Sequence, residues 1–127
     1  MTYRLHHIHL LCSDLEKTLA FFTEVLGAVL VERKQFGGAD GASLDLNGAP
    51  INLRIAREDD NIASGPVKTQ YGFHHIGLTV ADIDKTYREL SEKGYVFSAP
   101  PKDAGKARIA FFSGPDNIVI ELLQPFA

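Results

Sequence analysis

The chain is written twice. His7-Ile8-His9-Leu10-Leu11-Cys12-Ser13-Asp14-Leu15-Glu16-Lys17-Thr18 lies over His75-Ile76-Gly77-Leu78-Thr79-Val80-Ala81-Asp82-Ile83-Asp84-Lys85-Thr86 at a constant offset of 68. Most pairs are identical or exchange one aliphatic residue for another, or Glu for Asp. Farther on, Ile51-Asn52-Leu53 lies over Ile120-Glu121-Leu122 at an offset of 69, so the halves stay in step apart from small loop differences. Such a repeat commits the chain to two copies of one supersecondary unit, each too small to bury a core alone. At 127 residues there is room for one domain, 1–127, built from both. Module one is expected at about 3–56, a linker at about 57–72 and module two at about 73–125.

Each copy opens on apolar, β-branched residues that end at a polar boundary, which is the signature of a strand. A helix is expected next. In the first copy Ser13 and Glu16 have capping-box spacing, Leu15, Leu19 and Phe22 recur at i, i+4 and i+7, and Gly27 offers a stop. In the second, Asp82 is a good N-cap, Ile83, Tyr87 and Leu90 repeat that spacing, and Gly94 closes the helix. Three strands should follow each helix, at about 28–34, 41–46 and 50–56 and at about 95–98, 107–112 and 118–123. Gly37-Gly38, Asn47-Gly48 and Gly114-Pro115-Asp116-Asn117 supply turns. The unit is βαβββ, twice, an α+β chain.

Composition excludes several partners. Hydrophobic residues at 45% and charged residues at 23% are ordinary for a globular protein, and a formal charge of −3 provides no basic footprint for nucleic acid or an anionic membrane. The single cysteine, Cys12, rules out an internal disulfide, and no apolar run of spanning length or cationic leader is visible. A cytoplasmic protein is expected. Neither a Gly-rich phosphate loop nor a Ser–His–Asp pattern is present.

The polar residues are informative because strand side chains alternate between faces. His7, His9 and Leu11 share one face of the first strand, and Ile8, Leu10 and Cys12 share the other, which is apolar enough to take the helix. The equivalent strand places His75, Gly77 and Thr79 together, away from Ile76, Leu78 and Val80. Glu121 stands alone in the aliphatic run Ile118–Leu123, where an unpaired carboxylate would be costly, and a metal ion would be one suitable partner. Its repeat mate is Asn52, an amide that could coordinate or support a ligand, and Arg54 shares the face of Asn52. His7, His75 and Glu121 are therefore candidate metal ligands, with Asn52 at the fourth equivalent position. His9 is a candidate proton carrier. His6 and His74 fall on the opposite face by alternation and are expected to be bystanders. Arg54 is a candidate for an anionic substrate group, and one of Phe111 and Phe112 should line the cavity while the other packs; Thr79 and Phe111 join Arg54 as candidate substrate contacts.

These residues resemble the vicinal oxygen chelate superfamily, which includes glyoxalase I, methylmalonyl-CoA epimerase, extradiol dioxygenases, and fosfomycin and bleomycin resistance proteins. The resemblance is carried by the two openings above, by Leu19-Ala20-Phe21-Phe22-Thr23-Glu24-Val25-Leu26-Gly27 and by Phe112-Ser113-Gly114-Pro115-Asp116-Asn117-Ile118-Val119-Ile120-Glu121-Leu122. It covers nearly the whole chain. What it implies is a curled eight-stranded mixed sheet whose concave face forms a cup for one divalent metal and a small substrate chelating through neighbouring oxygens. In the superfamily the ligands come from the first and last strands of each module, positions that match His7, Asn52, His75 and Glu121. Glyoxalase I places a carboxylate where Asn52 stands, and the epimerase a Gln. A homodimer is also implied.

Two histidines and one carboxylate suit non-haem Fe(II), because that set leaves adjacent positions for substrate and dioxygen. A His-His-Glu Fe(II) dioxygenase acting on a catechol-like substrate is therefore the leading expectation, with His9 as an acid–base group. The alternative is a redox-neutral glyoxalase-like lyase or epimerase in which Zn, Ni, Co or Mn acts as a Lewis acid and Glu121 or His9 serves as base. Non-catalytic sequestration of a small molecule is a third possibility. Selectivity is expected in loops around 35–41, 57–72 and 99–107.

Overall fold

The computed structural model describes residues 2–127. The first strand of each copy, β1 (Ile8–Cys12) and β5 (Ile76–Thr79), leads into a helix, α1 (Leu15–Ala20) and α2 (Ile83–Glu92). Three strands follow each: β2 (Val29–Phe36), β3 (Ala39–Leu46) and β4 (Ala49–Ile55), then β6 (Phe97–Ala104), β7 (Ala107–Ser113) and β8 (Val119–Pro125). The order βαβββ is thus realised twice. The eight strands form two four-stranded mixed sheets, β1-β4-β3-β2 and β5-β8-β7-β6. In each, the first and last strands pair in parallel and the others antiparallel. Two compact units result, the first ending at Gly65 and the second running from Pro66 to Ala127.

The helices start where a carboxylate can take the first free backbone N–H. Asp14 accepts from Lys17 N at 3.1 Å and Asp82 from Lys85 N at 3.1 Å, at the same place in the repeat. The first cap is therefore Asp14, one residue beyond the Ser13 expected from capping-box spacing, because its side chain reaches the N3 amide. α1 passes into a π-helical turn, Phe21–Val25, closed by Leu26 N donating to Phe21 O at 3.1 Å. α2 is tied to its sheet by Ile83 N, which donates to Gln124 Oε1 of β8 at 2.9 Å.

Alternation sends the apolar residues of each sheet to its helix. In the first unit Phe22, Leu44, Ile51 and Leu53 are almost fully buried, and α1 lies on β4 and β3. In the second, Ile83, Phe112, Ile120 and Leu122 are, with α2 against β6, β7 and β8. Burying each such side chain contributes roughly 1.5–3 kcal/mol.

Two of the stretches expected as loops contract to tight turns. Gly37 and Gly38, at φ +55° and +85°, join β2 to β3 in the two-residue geometry that twists with its strands. β6 extends through Pro100-Pro101 to Ala104, well beyond the expected 95–98, and turns into β7 at Gly105-Lys106. Proline is tolerated there because β6 is an edge strand, and its pairing with β7 is interrupted by two register shifts. Among the described residues, no helix is long and apolar enough to cross a membrane.

Candidate metal half-sites

In the second unit the sheet register assembles the candidate residues. Glu121 on β8 stands opposite Gly77 on β5 and Phe111 on β7. Its neighbours Ile120 and Leu122 are buried toward the helix, so alternation turns the carboxylate to the other face. His75 immediately precedes β5 and brings Nε2 to 3.4 Å from Glu121 Oε1. The two side chains are 31% and 18% exposed, so the pair is partly shielded yet open on one side. A Cβ on Gly77 would sit 3.5 Å from Glu121 Oε1, at ordinary contact distance. Phe111 sets its ring edge-on to His75, with centroids 5.3 Å apart, while Phe112 is wholly buried. Of the two phenylalanines, Phe111 is the one on the site face. Thr79 lies exposed farther along β5.

The pair fits a divalent ion. Imidazole nitrogen and carboxylate oxygen are the donors such ions take at about 2.0–2.2 Å, and two donors at that range subtending 90–109° stand about 3.0–3.4 Å apart. Nδ1 of His75, the other ring nitrogen, is 2.7 Å from Nδ1 of His74.

The first unit carries a different set. His7 immediately precedes β1, with Nδ1 2.9 Å from Nδ1 of His6, and its ring centroid is 6.2 Å from that of His9. His9 stands opposite Asn52, and Asn52 opposite Ser43 on β3. Ser43 Oγ donates to Asn52 Oδ1 at 2.8 Å, using one of that oxygen's two acceptor positions. His9 meets the ring of Phe36 edge-on at 4.7 Å. Partial burial, then the charges of Arg54, His7 and Arg57, holds the His9 pKa below the ordinary histidine value.

Arg54 is committed within the chain. It donates to both carboxylate oxygens of Asp60 at 2.7 and 2.9 Å, and Arg57 N also donates to Asp60, at 2.5 Å. The Arg54 guanidinium, followed by the Arg57 amide, holds the Asp60 carboxyl far below the usual carboxylate range. Arg57 in turn donates from Nη1 to Phe36 O at 3.1 Å, tying the segment after β4 to the β2–β3 turn. Arg108 is engaged as well, by Asp84 and Asp103 at 3.0 Å each.

Asp60, Ser43 and Phe36 did not stand out in the sequence. Ser43 could have been found, since it is one strand over from Asn52 once the hairpin through Asn47-Gly48 is set in register. Asp60 lies in a stretch without periodicity, and nothing there announces a partner for Arg54. Among the described residues no group of three or more His, Cys, Asp or Glu side chains is gathered at metal-binding range. The donors stand as partial sets, one in each unit.

Comparison with known proteins follows the same lines. The family described as the Glyoxalase/Bleomycin resistance protein/Dioxygenase superfamily matches residues 4–122. The chain is 32% identical over 124 residues to the uncharacterized protein YwkD of Bacillus subtilis, covering 94% of this chain and 95% of that one. It is 31% identical over 126 residues to a probable lactoylglutathione lyase of Synechocystis, covering 93% and 92%. It is also 31% identical over 146 residues to glyoxalase I of Saccharomyces cerevisiae, covering 96% of this chain but spanning only 45% of that protein's length. Among solved structures, a glyoxylase/bleomycin resistance protein/dioxygenase domain from Frankia superposes with a TM-score of 0.80 at 23% identity, covering 99% of this chain and 94% of that one. A variant of the fosfomycin resistance protein FosX from Listeria monocytogenes, complexed with Mn(II) and 1S,2S-dihydroxypropylphosphonic acid, does so with a TM-score of 0.75 at 22% identity, covering 99% and 95%. With a repeated βαβββ unit, the same fold and a family match over nearly its full length, this chain belongs to the Glyoxalase/Bleomycin resistance protein/Dioxygenase superfamily.

Proposed function

We propose that the chain is a divalent-metal-dependent enzyme of redox-neutral chemistry, acting on a small molecule with neighbouring oxygens, and that His7, His75 and Glu121 are its metal ligands. The observation that carries this is the convergence of His75 Nε2 and Glu121 Oε1 at 3.4 Å, on the face of β8 turned away from the buried Ile120 and Leu122. Sequestration by shape alone would need no such pair of donors. A divalent ion held there would supply Lewis-acid polarisation of a substrate carbonyl.

The chain's own residues do the rest. Phe111, edge-on to His75, gives the substrate an apolar wall beside the ligands. Asn52 accepts a hydrogen bond from Ser43, which fixes its oxygen on the first strand's face and fits a supporting role beside the three ligands. With an amide at the place where glyoxalase I has a carboxylate, proton transfer falls to Glu121 or to His9, whose ring centroid is 6.2 Å from that of His7. The charge of Arg54 is matched by Asp60 at two oxygens. Arg54 is therefore already paired within the chain, while its charge still adds to partial burial in lowering the His9 pKa.

The two-histidine, one-carboxylate set alone favoured Fe(II) and dioxygen. The relatives shift the balance toward redox-neutral chemistry. One is a probable lactoylglutathione lyase, and a structural neighbour holds Mn(II) with a vicinal diol. Lactoylglutathione carries a hydroxyl and a thioester carbonyl on adjacent carbons, the oxygen pattern the ligand set would accept. The test is metal content after anaerobic purification, followed by two assays with the loaded protein: conversion of lactoylglutathione or related 2-hydroxythioesters, and oxygen uptake with catechols. Thioester turnover without oxygen uptake is expected. Oxygen consumption on catechols would restore the dioxygenase, and failure to bind any divalent metal would overturn both.

A further inference from the structure

Each proposed ligand histidine follows another histidine, and the two pairs meet in the same way. Nδ1 of His6 and Nδ1 of His7 are 2.9 Å apart, with ring centroids at 5.2 Å and planes crossing at 87°. Nδ1 of His74 and Nδ1 of His75 are 2.7 Å apart, with centroids at 5.0 Å and planes at 83°. The repeat thus builds one geometry twice, once in each unit. Two neutral rings at that distance must divide their roles, one nitrogen carrying the proton and the other accepting it. When Nδ1 of the second histidine carries the proton, its Nε2 has a free lone pair, the form a metal takes. Nε2 of His75 is also the atom turned toward Glu121, at 3.4 Å.

We propose that His74 and His6 are positioning residues: each accepts, at its own Nδ1, the Nδ1–H of the following histidine, and so presents the Nε2 lone pair of His75 and of His7 for coordination. This role differs from the bystander position expected from strand alternation. Alternation does not govern these residues, because the ladders begin only at Ile8 and Ile76. The consequence for metal rests on the ligand assignment above, but the tautomer is a property of the metal-free chain and can be read without it.

The test uses the full chain in three forms: wild type, His74→Ala and His74→Asn. Asparagine keeps an acceptor oxygen about where Nδ1 of His74 stood. Long-range 15N–1H correlation spectra of the metal-free protein, taken at about pH 8.5 where histidines are neutral, should show His75 as the Nδ1–H tautomer in wild type. The commoner Nε2–H form should gain in His74→Ala, and Nδ1–H should return in His74→Asn. Co(II) titration should show affinity weakened about 10- to 100-fold in His74→Ala, the range typical of partners that orient metal-binding histidines, and largely recovered in His74→Asn. A wild-type His75 carrying its proton on Nε2 would overturn the proposal. So would His74→Ala binding Co(II) like wild type while Glu121→Gln does not. If wild type binds no Co(II), the ligand assignment fails by itself and the tautomer still decides the role of His74.

Discussion

Glu121 and Leu122 are neighbours on β8 that face opposite ways, and truncating each should damage a different property. Leu122 is 2% exposed and stands between Leu78 of β5 and Ala110 of β7, with Ala110 wholly buried. Leu122→Ala should therefore cost about 3–4 kcal/mol, within the range for buried leucines. With a urea slope of roughly 1.5–2 kcal/mol per molar for a chain of this size, the unfolding midpoint falls by about 2 M. Glu121→Gln removes a carboxylate 18% exposed whose named partner is the His75 imidazole, and it keeps the shape of the side chain. Its stability should stay within about 0.5 kcal/mol of wild type, while its metal affinity collapses. The assay is urea unfolding followed by far-UV circular dichroism on metal-free protein, paired with Co(II) titration. A cost below about 1 kcal/mol for Leu122→Ala would refute the alternation that orients this strand. Equal destabilisation by both substitutions would refute the assignment of Glu121 to the open face.

Other perturbations follow from the same geometry. A Cβ at Gly41 would stand 2.7 Å from the Phe36 ring and closer still to Leu53 O, so Gly41→Ala should cost about 1–3 kcal/mol and shift the ring-current signature of His9 on Phe36. Gly77→Ala meets Glu121 at ordinary contact distance and should leave both stability and Co(II) binding near wild type, which the same urea and metal titrations read. Ser43→Ala strands the Asn52 oxygen and should lower stability by about 1 kcal/mol in denaturant unfolding. Asp60 has a depressed folded pKa, so its contribution is present above the unfolded carboxylate value near 4 and is lost as pH falls toward the folded one. Melting temperature against pH should accordingly fall more steeply below about pH 4 in wild type than in Asp60→Asn; parallel curves would contradict the clasp on Arg54.

What was legible in the sequence was whatever the repeat and the strand period control. Glu121 was placed because it interrupts Ile120 and Leu122, and His75 because it lies 68 residues beyond His7. The same periodicity separated Phe111 from Phe112. What escaped depends on reach through space. Asp60 closes on Arg54 from a segment with no pattern, and Phe36 meets His9 across the sheet because Gly41 leaves room for its ring. Pro100-Pro101 signals a break only if the strand is central, and β6 is at an edge. The two tandem βαβββ modules were legible as well, each forming a four-stranded mixed sheet with its first and last strands paired in parallel.

The central claim is that His75 and Glu121 are metal ligands, with His7 completing the set. Its most direct measurement is metal content by inductively coupled plasma mass spectrometry on wild type, His7→Ala, His75→Ala and Glu121→Gln reconstituted in parallel with Co(II), Mn(II), Zn(II), Ni(II) and Fe(II). The account predicts near-stoichiometric uptake of at least one ion by wild type and loss of it in all three variants. Undiminished metal in His75→Ala or Glu121→Gln would contradict it.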